Sequence, residues 1–230
     1  MVSLNPKHTS NWKFTRSPNG DDTVLISIKG ELYLFRATRD ASKYEPARAR
    51  ISKELDERFN GWSNDHDRQF DDSSYFFLLT DMEGNLRAAS RMVQSRPDQV
   101  VPVSQTDRDC KIDFSNALEY SGLWFDKFSY ALAISGVIGE WVADHFGSQD
   151  VYAIYEASNR VIKRIYLRSL GFEQLDHPLI VYDGFTRKES GEPVEWQLVV
   201  CRAETRRRRA FNVVSNAGAQ PPSNLTKVAS

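Results

Sequence analysis

Val151-Tyr152-Ala153-Ile154-Tyr155-Glu156-Ala157-Ser158-Asn159-Arg160-Val161-Ile162-Lys163-Arg164-Ile165-Tyr166-Leu167-Arg168-Ser169-Leu170-Gly171-Phe172 is the stretch on which the fold turns. Residues 151–155 are apolar without a break, the pattern of a strand covered on both faces. Val161, Ile162, Ile165 and Tyr166 then recur at helical spacing, and Gly171 supplies the stop. Working back, Ile134, Val137, Ile138, Trp141 and Val142 are spaced i, i+3, i+4, i+7, i+8, which predicts a long helix before the strand. Leu118 to Phe125 reads as a strand before that helix. Working forward, Leu179 to Tyr182 and the alternation Val194, Trp196, Leu198, Val200 read as two more.

The first half has another rhythm. Val24 to Ile28 and Glu31 to Phe35 flank Lys29-Gly30, the signature of a β-hairpin. Pro46 opens a helix with Ile51, Leu55 and Phe59 on one face, and Asn60-Gly61 is its expected stop. A second hairpin joins Tyr75–Thr80 to Leu86–Val93. Between it and the Leu118 strand lies a short run, Val100 to Val103, whose Pro102 makes it an edge or a connection. Hairpin, helix, hairpin, strand, helix, strand, helix and two strands make an α/β (α+β) layer, with a mixed sheet and crossover helices in its second half. The polar residues 1–22 are expected to be loosely held or wrapped on a domain spanning 23–202. A tail, 203–230, carries Arg206-Arg207-Arg208-Arg209 and a Ser/Asn/Ala/Pro-rich end.

Bulk numbers exclude several classes. Apolar residues at 40% and charged at 27% of 230 describe an ordinary globular chain. Thirty basic against 31 acidic side chains, a net charge of −1, argue against a wholly basic nucleic-acid binder. Cys110 and Cys201 lack metal-ligand spacing and fit a reducing compartment. No apolar run approaches the roughly 20 residues of a membrane helix, and Met1 to Arg16 has no signal-peptide core, so cytoplasm is the expectation.

Asn159 to Phe172, running from an asparagine through a tyrosine to a closing Leu-Gly-Phe, resembles the penultimate helix of the Gcn5-related N-acetyltransferase superfamily. The middle of the chain resembles its autoinducer-synthase and N-acyl amino acid synthase branch. A tryptophan (Trp62), an acidic cluster (Asp67, Phe70-Asp71), a hairpin (Tyr75 to Thr80) carrying Arg91 on its second strand, and Glu119 with Ser121 fall in that branch's order. Gly122 stands where the branch has an arginine, and Tyr166 lies one residue further from Gly171 than the superfamily pattern prefers. The resemblance implies a largely antiparallel twisted sheet with a V-shaped splay, flanked by helices on both faces. It also implies acyl transfer from acyl-CoA or acyl carrier protein to a small-molecule amine, without a metal. A catalytically silent module of the same fold, making contacts through its basic tail, is the alternative.

Acyl transfer from a thioester requires an amine to lose a proton, an oxyanion to be held and a thiolate to leave. Glu119 sits in an apolar strand, where burial would raise its pKa toward that of a base working at neutral pH; a solvent-facing carboxylate is the competing reading. By the resemblance, Tyr166 protonates the thiolate, and amides near Leu123, Trp124 and Phe125 hold the oxyanion. The stretch Lys127 to Gly136, with small residues at Ala131, Ala133 and Ser135, is where the superfamily has a phosphate-gripping loop, and Asn159 opens the following helix. For Tyr166, Trp62 and Phe70 the alternative is plain core packing. Arg91 binds a substrate carboxylate, pairs with the acidic cluster of residues 67–72, or does both, since such a pair would also shape the pocket. That cluster reads better as a solvated loop than as a metal site. Arg206 to Arg209 either touch phosphates or an acidic carrier surface, or are solvated.

Overall fold

The computed structural model describes residues 12–105, 112–147, 149–204 and 219–220. In chain order its elements are β1 (Thr15–Arg16), β2 (Asp22–Ile28), β3 (Glu31–Thr38), α1 (Glu45–Arg58), β4 (Phe59–Asn60), α2 (Asn64–Arg68), β5 (Ser74–Asp81), β6 (Leu86–Gln94), β7 (Leu118–Phe125), α3 (Phe128–Phe146), β8 (Val151–Glu156), α4 (Arg160–Lys163), β9 (Glu173–Gln174), β10 (Ile180–Arg187), β11 (Pro193–Cys201) and β12 (Ala219–Gln220). They join one sheet in the order β1-β2-β3-β5-β6-β7-β8-β11-β10-β4, with β9 on β11 and β12 on β2. Neighbours are antiparallel except β7 and β8, which run parallel because α3 crosses between them.

The turns follow from local chemistry. Lys29 and Gly30 both take positive φ, as a two-residue hairpin turn demands. Helix α1 has Pro46 in its first turn but ends before Asn60-Gly61: Phe59 is already extended, and β4 pairs with Thr186 and Arg187 of β10. The Val100 to Val103 run is a connection, leading into a 3₁₀ turn at Pro102–Gln105. At the amino terminus Trp12 is buried in the main core and β1 pairs with β2, so packing begins before residue 23. Ala219 and Gln220 pair with Ile28 and Ser27. Arg206 to Arg209 and Cys110 lie outside the described residues.

Strand alternation sorts side chains to two faces. Met92, Leu118, Tyr120, Val151, Ala153 and Tyr155 face α3, against Ile134, Val137, Ile138 and Trp141. On the other face Phe76, Leu78 and Ala89 meet Tyr44 and Ala47 at the start of α1. Val93, Tyr152 and Leu198 meet Phe70, Val101, Val103 and Phe114. After Lys163 the helix widens to π geometry over Arg164–Leu170. A π turn absorbs one more residue than an α turn. The extra residue between Tyr166 and Gly171 is taken up in this way, and Ile165 and Tyr166 stay buried. Gly171, at φ 76°, closes the segment by donating its N–H to Tyr166 O. No described helix is long and apolar enough to cross a membrane.

Ile134 has no exposed surface and stands at the centre of the α3 contact. Ile134→Ala is expected to cost about 2–5 kcal/mol of stability, read as a lowered midpoint in urea unfolding.

Candidate active site

Strands β7 and β8 pair at only two positions, Leu118 with Val151 and Glu119 with Tyr152. Both continue beyond, to Phe125 and Glu156, without pairing to each other. A wedge-shaped gap opens between them, its vertex at Glu119. Backbone groups along such facing edges have no ladder partners and are open to a ligand. Helices α3 and α4 begin at the diverging ends, and the Arg164 guanidinium lies 5.9 Å from the Phe128 ring across the opening.

Glu119 is 3% exposed. Its Oε2 accepts from the Val103 N–H at 2.7 Å, the 3₁₀ turn supplying the donor. Burial lifts its pKa to about 7 against the lowering by that hydrogen bond and by Arg91, with Asp67 adding to the rise. On the α3 face Tyr166 touches both arms of the wedge, its ring 5.9 Å from Tyr120 of β7 and 6.1 Å from Tyr155 of β8. Burial, then the nearby Tyr120 and Glu119, push the Tyr166 hydroxyl well above its ordinary pKa, so it stays protonated. Beneath the vertex lies an apolar cavity of about 40 Å³, bounded by Met92, Tyr120, Val151 and Phe172.

No protein-family model and no curated protein matches the sequence significantly; comparison with solved structures does find the architecture. FeeM, an N-acyl amino acid synthase from uncultured soil microbes, superposes with a TM-score of 0.58 at 11% identity, over 81% of this chain and 98% of that one. Mycobacterium smegmatis RimJ, in complex with CoA-disulfide, gives 0.50 at 13% identity over 89% and 98%. The Vibrio cholerae spermidine N-acetyltransferase, in complex with CoA and spermine, gives 0.50 at 9% over 78% and 98%. The chain has the Gcn5-related N-acetyltransferase fold.

Within that fold the residues singled out from sequence fall into three groups. Glu119 and Tyr166 stand at the wedge, on opposite faces of the sheet. Asp67, Asp71 and Arg91 form a charge network on the α1 face. Arg91 donates to Asp67 Oδ1 at 2.6 Å, to Asp67 O at 2.9 Å and to Ser121 Oγ at 3.3 Å. Its guanidinium is engaged by protein on all three nitrogens, so the ion pair, not a bidentate grip on a substrate carboxylate, is what the structure holds. Asp71 receives a bidentate pair from Arg48, at 2.6 and 3.1 Å, and Arg48 Nε approaches Asp67 Oδ2 to 3.3 Å. Phe70 is core, with no exposed surface. Trp62 is half-buried against Phe185, with ring centres 6.4 Å apart.

The third group corrects the loop reading. Helix α3 starts at Phe128, directly after Lys127. Ala131 and Ala133 are wholly buried helical residues, and the Ser135 hydroxyl meets that of Tyr120 at 2.9 Å. They pack the helix on the sheet and line no loop. Lys127 O already accepts from the Tyr130 and Ala131 amides, which leaves those of Phe128 and Ser129 as the outward donors of the first turn. Trp124 is tied to α1, its Nε1 donating to Glu54 at 2.9 Å. Leu123 and Phe125 are half-buried toward α3. Asn159 caps α4, accepting from Ile162 N–H at 3.1 Å.

Sequence reading missed Arg48, 2% exposed. The signal was there: Tyr44, Arg48, Ile51 and Leu55 share one face of α1, so a charged residue lies on the apolar stripe. It also missed the Val103 amide, for which sequence offers no signal.

The pKa of Glu119 fixes a test of its environment. A carboxyl whose folded pKa is raised from 4.5 to about 7 contributes stability that is complete below pH 4.5 and lost as pH rises through 7. Glu119→Gln keeps an acceptor for Val103 and cannot ionise. The variant is therefore expected to melt at or above the wild-type temperature at pH 8 and to show no such advantage at pH 5, measured by thermal denaturation.

Proposed function

We propose that this protein is an N-acyltransferase moving an acyl group from a pantetheine thioester, on CoA or on acyl carrier protein, to the amine of a small molecule, an amino acid being the first class to test. The observation that carries the reading is a buried glutamate, poised to titrate near neutral pH, at the vertex of an unpaired wedge between parallel strands. A carboxyl tuned in this way serves as a general base at physiological pH.

The thioester arm lies in the wedge, its amides meeting the free strand edges and its acyl group turning toward the apolar cavity. Its phosphate end falls between the start of α3, preceded by Lys127, and α4, followed by Arg164, whose guanidinium lies 5.9 Å from the Phe128 ring. Glu119 takes the amine proton, directly or through one water. The amine nitrogen attacks the carbonyl carbon, amides of β7 just past Ser121, where its register against β6 shifts, hold the oxyanion, and the C–S bond breaks. The Tyr166 hydroxyl, touching both arms from the α3 face, donates to the departing sulfur. We place this chemistry in the cytoplasm, in keeping with a chain of only two cysteines.

Thiol release from acetyl-CoA, octanoyl-CoA and octanoyl carrier protein, each with a panel of amino acids and polyamines, tests the reading. Turnover with at least one pair is expected, with kcat/KM rising through about pH 7 as Glu119 ionises. Glu119→Gln should lower kcat by about 10²-fold or more. An unchanged rate removes Glu119 as base, and absence of turnover with every pair removes the function.

A further inference from the structure

Two hydroxyls hold the bulge in β7. Ala89 pairs with Trp124 and Arg91 with Ser121, so Gly122 and Leu123 together oppose the single residue Ser90. Ser90 Oγ donates to Ser121 O at 2.9 Å, and Tyr44 Oη donates to Gly122 O at 3.1 Å. In a planar trans peptide the carbonyl and the following N–H point opposite ways. Pinning Ser121 O toward β6 turns the Gly122 N–H to the β8 side. Pinning Gly122 O toward Tyr44, on the α1 face, turns the Leu123 N–H off that face. The ladder agrees: Asp126 N–H donates to Arg87 O. Strand alternation then returns the Trp124 N–H to β6 and leaves the two bulge amides off the ladder. Since β8 stops pairing at Glu119, the Gly122 amide faces the wedge and the Leu123 amide its α3 side, where two neighbouring amides suit a developing oxyanion.

We propose that Tyr44 is a positioning residue for acyl transfer: its hydroxyl, together with that of Ser90, fixes the bulge so that the Gly122 and Leu123 amides point at the thioester carbonyl oxygen. The proposal rests on the acyl-transfer reading above. Tyr44 is built for such a task. It is 2% exposed, its ring packs 4.8 Å from that of Phe76, and it stands at the start of α1. Its hydroxyl also occupies the space of any side chain at position 122, where a Cβ would lie 2.5 Å from Oη. Gly122 has φ 60°, so any other residue there is strained on conformational grounds as well. With Tyr44 in place an arginine at this position would clash and be strained; the hydroxyl of the residue that precedes α1 reaches the strand instead.

Tyr44→Phe keeps the ring and removes the donor. With the donor and acceptor pair that wild type turns over, kcat is expected to fall about 10-fold or more while both KM values stay within about twofold and the pH limb does not move. Gly122→Ala brings Cβ against the hydroxyl and should lower the melting temperature by roughly 5 °C. In the double variant the nearest atom retreats to the Tyr44 Cζ, 3.7 Å away, so part of that loss should return while kcat stays low. A Tyr44→Phe enzyme with wild-type kcat overturns the proposal and leaves the acyl-transfer reading standing. Strictly additive melting shifts overturn it by removing the contact. Wild type without turnover sinks the acyl-transfer reading, and the proposal with it.

Discussion

Everything at this site depends on where β7 and β8 stop pairing. Each strand is anchored on its outer side. Strand β8 is laddered to β11 along its whole length, from Val151 opposite Cys201 to Glu156 opposite Trp196. Strand β7 is laddered to β6, but the extra residue at Gly122–Leu123 bends it, and a bulge sharpens the local twist. Past Glu119 the two ladders therefore carry their strands apart. The core beneath keeps them from separating as independent sheets: α3 packs under both, and Tyr166 lies against a tyrosine of each arm. The result is an opening with a rigid floor, which an arm of alternating amides and methylenes can enter as a strand would.

Helix α1 organises the opposite face. Its Arg48 collects Asp67 and Asp71, Asp67 in turn holds Arg91, and Arg91 reaches Ser121 on β7. One turn earlier, Tyr44 reaches the next residue, Gly122. A single helix face thus fixes the acidic segment, the second strand of the β5–β6 hairpin and the bulge. Buried ion pairs of this sort add little stability against an apolar replacement, but losing one partner strands the other charge at high cost. Their use here is geometric: they hold residues 67 to 71 against the strand that carries Glu119. They also bear on its electrostatics, since Asp67 opposes the Arg91 charge that draws the Glu119 pKa down.

The elements were legible because their apolar periods are strong. Leu118–Phe125 is the strand that its composition predicts, and the two hairpins and the α3 face follow from alternation and from the i, i+3, i+4 pattern. Local deviations were not legible. The π turn after Lys163 appears in sequence only as a one-residue misfit before Gly171, which has no meaning until the helix is seen to widen. The bulge shows only as Gly122, since a glycine in a strand does not say which carbonyl turns or toward what. The Arg91–Asp67 pair is one of the readings the sequence offers, since a lone arginine on an apolar strand and an acidic segment before it are complementary charges. That Glu119 finds its donor in Val103, across a connecting turn, is a tertiary fact that no spacing encodes.

Glu119 is the residue on which the proposed chemistry rests. A buried carboxyl with one backbone donor, and with its nearest cation already paired to another acid, is a poor way to stabilise a strand: glutamine, or a packed aliphatic beside Val93 and Tyr152, would stand there without a charge to desolvate. What a glutamate provides there, and glutamine cannot, is a proton acceptor at neutral pH. Its position deepens the point. It stands at the last residue pair before the strands part, with the proton-holding tyrosine on the far face touching both arms. In the proposed reaction, a group entering the wedge meets a base from one side and a donor from the other, with backbone amides between them for the atom where negative charge grows. Packing alone explains each residue separately but not their convergence on one gap, whereas the proposed transfer of an acyl group from sulfur to nitrogen would use all three there at once.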